Sequence, residues 1–148
     1  INNKDFYCYK FRTMKVNQLA DELQATKEDP RITKTGAFLR KTNLDEFPQF
    51  LNVFFGDMSI VGPRPHMLKH TDEYSKLVDS YMVRQLVKPG ITGPAQVYGF
   101  RGETKTTAEM KGRVELDVWY IENWSILLDL KMVVLTVWNM IIGERKAY

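Results

Sequence analysis

The run "SILLDLKMVVLTVWNMII", from Ser125 to Ile142, constrains the fold of this chain more than any other segment. Between Ile126 and Ile142 only Asp129, Lys131, Thr136 and Asn139 interrupt the apolar residues. On a helix Asp129, Thr136 and Asn139 fall within roughly 80 degrees of one another and leave a wide apolar face. A chain of 148 residues makes one domain, with few helices to cover such a face. The segment therefore reads as a helix lying in a membrane interface, with a central core helix as the alternative. Trp119, Trp124 and Trp138 flank or interrupt it, as aromatic side chains do near lipid headgroups. On this reading Trp138 or Met140 stays exposed. Asp129 points the other way, toward Asp45 and Glu46, because a carboxylate facing lipid is costly. No stretch reaches the about 18 consecutive apolar residues of a spanning helix.

The remaining elements are shorter. "FYCYKFRTM", from Phe6 to Met14, is aromatic-rich and reads as an edge strand that carries Lys10 and Arg12 on one face. Lys15 to Ile32 is polar and reads as a loop with one helical turn around Leu19 to Leu23. Thr33 to Thr42 reads as a short helix with Phe38 and Leu39 buried. From Asn43 the spacing of Leu44, Phe47, Leu51 and Phe54 predicts a helix, capped by Asn43 and Glu46 and closed by Gly56. "GDMSIVGPRP" reads as irregular and ends in a proline-stiffened turn. Leu68, Tyr74, Leu77, Tyr81 and Leu86 mark a broken helix between His66 and Val87. Lys88 to Thr104 reads as a loop with a strand at Gln96 to Tyr98, and Ala108 to Ser125 as a helix with Val114, Val118 and Ile121 on one side. The expected fold is α+β and mainly helical. It is a single domain over residues 1–148 with a short strand or hairpin, irregular Pro/Gly-rich loops and amphipathic membrane-interface helices.

Composition removes several function classes. Hydrophobic residues make up 44% and charged residues 26%, which excludes a disordered or fibrous chain. A net charge of +3 favours anionic partners such as phosphates or an acidic membrane face. The single cysteine, Cys8, excludes a disulfide framework and a Cys-based zinc site. Neither a P-loop nor a dinucleotide-binding glycine pattern is present. No basic stripe interleaves with the aromatic residues, so no nucleic-acid partner is expected. His66 and His70 are spaced to share a metal with Glu73, but "HMLKH" lacks the glutamate of a zincin, and both read as surface histidines.

Two features carry chemistry. The adjacent acids Asp45 and Glu46 fit the first turn of a helix, where carboxylates complement the helix dipole. The same position offers another use. Free backbone N–H groups there can hold an anion, so one carboxylate could attack phosphorus while its neighbour helps hold Mg²⁺. The second feature is Pro63-Arg64-Pro65. Prolines on both sides restrict the backbone and pre-order a guanidinium suited to bidentate phosphate binding.

The runs "YKFRTM", "DPRITKTGAFLRKTNLDEFPQFLNV", "GDMSIVGPRP", "VKPGITGPAQV" and "ELDVWYIENWSILLDLK" resemble the bacterial sugar transferase family, the monotopic phosphoglycosyl transferases. "YGFRGETKT" looks like the branch that includes undecaprenyl-phosphate glucose phosphotransferases. The resemblance implies transfer of a sugar phosphate from a UDP-sugar to polyprenyl phosphate. UMP is released, and the phospho-sugar passes through a covalent intermediate on Asp45. Glu46 would help Asp45 to position Mg²⁺ and the phosphates. Lys10, Arg40 and Arg64 would meet phosphates, and Asp129 would support the site. The implied setting is the cytoplasmic face of the bacterial inner membrane, at the first step of exopolysaccharide, capsule or glycan assembly, with a homo-oligomer left open.

Two positions depart from the family pattern: Pro94 stands where Trp is usual, and Tyr98 where Asn is usual. The family's hydrophobic segment ahead of "KFRTM" is missing, and the chain starts at Ile1 without an initiator methionine, so it reads as a fragment. A non-catalytic membrane-surface module that binds polyprenyl phosphate or a partner enzyme is the alternative. A soluble nucleotide hydrolase is a third reading.

Overall fold

The structure, a computed structural model, describes residues 5–16, 29–66, 68–100 and 106–142. Its helices are α1 (Lys34–Thr42), α2 (Gln49–Phe54), α3 (Leu68–Leu77), α4 (Pro94–Val97), α5 (Thr107–Glu122) and α6 (Ile126–Ile142). Two strands, β1 (Ser59–Val61) and β2 (Gly90–Thr92), pair in parallel with Ser59 opposite Gly90 and Val61 opposite Thr92. The fold is thus mainly helical α+β, as expected. The turn that reads as a helix around Leu19 to Leu23 lies outside the described residues.

A parallel pair needs a long crossover, and α3 with a 3₁₀ turn at Tyr81–Leu86 supplies it. The strands come so close that a Cβ on Gly90 would sit 2.1 Å from the Gly62 nitrogen, so glycine is required there. Both strands fall in stretches that read as irregular, and three residues are too few to show a period of two. The strand expected at Gln96 to Tyr98 is instead α4, started by Pro94 at its first position.

Two small cores hold the domain. Val78, Tyr81, Met110 and Val114 join the crossover to α5. Val61, Tyr120 and Met132 join β1, α5 and α6, with Leu128, Leu135 and Val97 around them. The polar stripe of α6 faces inward. Thr136 Oγ1 lies 2.6 Å from Thr92 Oγ1, and Asn139 Nδ2 donates to the Val97 carbonyl at 3.1 Å. The opposite face, with Leu127, Leu130, Val134, Val137, Trp138 and Ile141, is exposed, as is Met140. No described helix is long and apolar enough to cross a membrane.

Among its described residues the N-terminal segment forms no strand ladder, and a bridge pairs Met14 with Ile32. A single side chain takes the place of a partner strand. Asn52 accepts from the Tyr9 N–H at 2.9 Å and donates to the Tyr7 carbonyl at 2.8 Å.

The helix expected from Asn43 is broken. Asn43 closes α1 in the left-handed conformation (φ 58°), so its side chain caps nothing, and Leu44–Glu46 form a 3₁₀ turn ahead of Pro48. The stripe Leu44, Phe47, Leu51 and Phe54 faces outward, while Gln49 and Asn52 are buried. Phe38 is exposed as well, because α1 instead turns Gly36 against Thr13, where a Cβ would meet the Thr13 carbonyl oxygen at 1.9 Å.

Candidate active site

The 3₁₀ turn between α1 and α2 presents Asp45 and Glu46 in different settings. Glu46 is buried, and both of its oxygens are held by the fork of Arg64: Nη1 donates to Oε2 at 3.1 Å and Nη2 to Oε1. Lys10 Nζ lies 3.4 Å from the same Oε1. Lys10 is brought there because the Phe11 N–H donates to the Asp45 carbonyl at 2.9 Å, which ties the extended segment to the turn. Glu46 in return raises the pKa of Arg64 above its ordinary value, so the guanidinium is permanently charged.

Asp45 is half-buried and lacks such a clamp. Burial raises its carboxyl above the ordinary range and the Glu46 charge adds to this, while Lys10 and Arg40 pull it back down. Arg40 is oriented by a bond from its Nε to Thr13 Oγ1 at 2.8 Å. The turn therefore carries one carboxylate locked in an ion pair and one left beside several cations. The first shapes the charge of the site, and the second has the greater freedom to meet a phosphate.

Asp45, Glu46, Lys10, Arg40 and Arg64 thus gather around one turn. Asp129 does not join them through a hydrogen bond. Its Oδ1 accepts from the Tyr120 hydroxyl at 2.6 Å and its Oδ2 from Trp124 Nε1 at 3.2 Å. These bonds staple the start of α6 to Tyr120 of α5 and to Trp124 in the corner between the two helices.

Behind Arg64 lies a charged cluster that the sequence reading missed. Arg84 Nε donates to the fully buried Asp117 at 2.7 Å. His66 Nδ1 is 2.7 Å from the Tyr81 hydroxyl, and Arg113 Nη1 is 3.2 Å from His66 Nε2. Burial and the neighbouring Arg64 and Arg84 lower the Arg113 pKa to about 10. His66 is therefore packed among cations rather than set on the surface; the side chains of His70 and Glu73 lie outside the described residues. The available signal was Asp117, an acid between the inward-facing Val114 and Val118 of α5.

Comparison with known proteins gives the family. The profile of the family described as bacterial sugar transferase matches residues 1–143. A UDP-glucose:undecaprenyl-phosphate glucose-1-phosphate transferase of Klebsiella pneumoniae is 52% identical over 145 residues, covering 97% of this chain and 31% of that protein. One of the same name from Xanthomonas campestris pv. campestris is 50% identical over 150 residues, covering 100% of this chain and 31% of its own. The exopolysaccharide production protein PSS of Rhizobium leguminosarum bv. phaseoli is 43% identical over 141 residues, covering 92% and 70%. This chain spans 31% of the length of the first two relatives. With a match over nearly its whole length and the basic residues grouped around an acidic pair, the chain belongs to the bacterial sugar transferase family.

Proposed function

We propose that this chain is the catalytic part of an enzyme that transfers sugar-1-phosphate, from UDP-glucose or a related UDP-hexose, to undecaprenyl phosphate. The names of its relatives supply the substrate class. The observation that carries the reading is the turn itself, with Asp45 unclamped next to a Glu46 held by Arg64 and Lys10. In the first step an Asp45 oxygen bonds to the sugar-bearing phosphorus, the bond to the UMP oxygen breaks, and UMP leaves. In the second an oxygen of the lipid phosphate bonds to the same phosphorus and the Asp45 carboxylate is released. One hard transfer becomes two easier ones.

Among the described residues no group of three acids, histidines or cysteines could hold a metal. The donor set still fits Mg²⁺, which takes one or two carboxylates and completes its shell with substrate phosphates and water. Asp45 is the available carboxylate, and Glu46 has only the lone pairs that Arg64 and Lys10 leave. When bound, Mg²⁺ neutralises charge on the diphosphate. Lys10, Arg40 and Arg64 hold the anionic substrate in place. The exposed apolar residues of α2 and α6 support a seat on a membrane surface, which would bring the lipid phosphate to this turn.

The test is intact-mass analysis after incubation with UDP-glucose and Mg²⁺ but no acceptor. A hexose-phosphate adduct is expected, absent in Asp45→Asn. No adduct, with UMP formed only when both substrates are present, would replace the covalent intermediate by direct transfer.

A further inference from the structure

The prolines around Arg64 contribute no N–H, so the turn is anchored largely through carbonyls. Pro63 accepts from the Gly90 N–H at 2.9 Å, and Arg64 accepts from Arg84 Nη2 at 2.8 Å. The same guanidinium sets Nη1 3.1 Å from His66 Nδ1, so Arg84 touches the chain on both sides of Pro65. Its third nitrogen, Nε, donates to Asp117, and its central carbon lies 5.2 Å from the centre of the Tyr81 ring. The side chains of Arg84 and Asp117 are 6% and 0% exposed. Replacing a buried ion pair of this kind by apolar residues of the same volume is often neutral or stabilising. Its three-way fork is a geometry that lysine cannot reproduce.

We propose that Arg84, fixed by Asp117, is a positioning residue that holds the Pro63–Pro65 turn so that the Arg64 fork stays on Glu46 and faces the donor phosphates. The part concerning donor phosphates rests on the function proposed above, whereas the orientation of Arg64 does not.

Nitrogen-detected NMR of arginine side chains separates the two. In the unmodified chain a forked Arg64 should show separate, slowly exchanging Nη signals, assigned by their loss in Arg64→Lys. In Arg84→Lys these signals should merge while the backbone amide spectrum stays that of the folded chain. The double variant Arg84→Met/Asp117→Leu removes both buried charges at once and so provides a folded comparison even if Arg84→Lys unfolds; it should lose the separate Arg64 signals too. UMP release from UDP-glucose should fall about tenfold to a hundredfold in either folded variant, as expected for misplacing a charged hydrogen bond. Separate Arg64 signals that persist in a folded Arg84 variant would overturn the proposal. Merged signals with undiminished UMP release would leave the positioning role standing and remove Arg64 from donor binding.

Discussion

The interior around Arg64 and the outer faces of α2 and α6 invert the usual distribution of polar and apolar residues. Glu46, Arg84, Arg113 and Asp117 are 7%, 7%, 5% and 0% exposed, while Phe54, Leu127 and Ile141 are 83%, 78% and 74% exposed. Charged side chains are almost never this buried unless paired, and large contiguous apolar patches mark surfaces that meet something other than water. The difference teaches that two constraints shaped the molecule. The charged interior ties a small turn down through ion pairs, and the apolar exterior is a face that the described residues leave uncovered.

The largest effect that would probe this contrast lies inside. Asp117→Leu leaves Arg84 buried and uncompensated, and should cost about 3–5 kcal/mol of stability in urea denaturation. A loss below about 1 kcal/mol would mean that the interior charge relaxes to water. Next is Arg64→Lys, which keeps charge but loses the fork. It should reduce transition-state stabilisation by about 1–3 kcal/mol, measured as kcat/KM for UMP release, in a protein that stays folded.

A smaller effect follows from Asp45. Its folded carboxyl binds a proton more tightly than the unfolded one, so its contribution to stability is greatest below about pH 4 and is lost as pH rises through the raised value. Asp45→Asn should therefore melt higher than the unmodified chain at pH 7, with the gap closing on acidification. The activity of the unmodified chain should rise with pH over the same window. Lys10→Met, which removes a cation that pulls Asp45 down, should move that rise to higher pH. A gap that widens on acidification would reverse the assignment. The smallest stability effect belongs to the exterior. Leu127→Glu and Val134→Glu should change stability by no more than about 0.5 kcal/mol, yet abolish binding to anionic liposomes. Destabilisation of about 2 kcal/mol or more would show that the chain itself covers this face.

Parts of this contrast were legible residue by residue. The apolar run from Ile126 predicted the exposed face, and its narrow polar stripe marked the side on which Thr136 and Asn139 meet Thr92 and Val97. The prolines around Arg64 marked a fixed arginine, and the basic residues expected near the acidic pair lie around it. The stripe of Leu44, Phe47, Leu51 and Phe54 was visible as a helical repeat, but its direction was not. A period of three to four identifies a face without stating which medium the face meets.

What the sequence by itself determined is local: the extent of α6, the start and body of α5, and the family to which its motifs point. These follow from spacing and backbone restriction within a few residues. Only the tertiary structure decided that Ser59–Val61 would pair with Gly90–Thr92, and that Arg84 would find Asp117 across 33 positions of sequence. It also turned Asp129 to Tyr120 and Trp124. Such partners carry no periodic signal, because a buried charge is chosen by whatever donor or acceptor the packed elements bring within about 3 Å, and that depends on the whole arrangement.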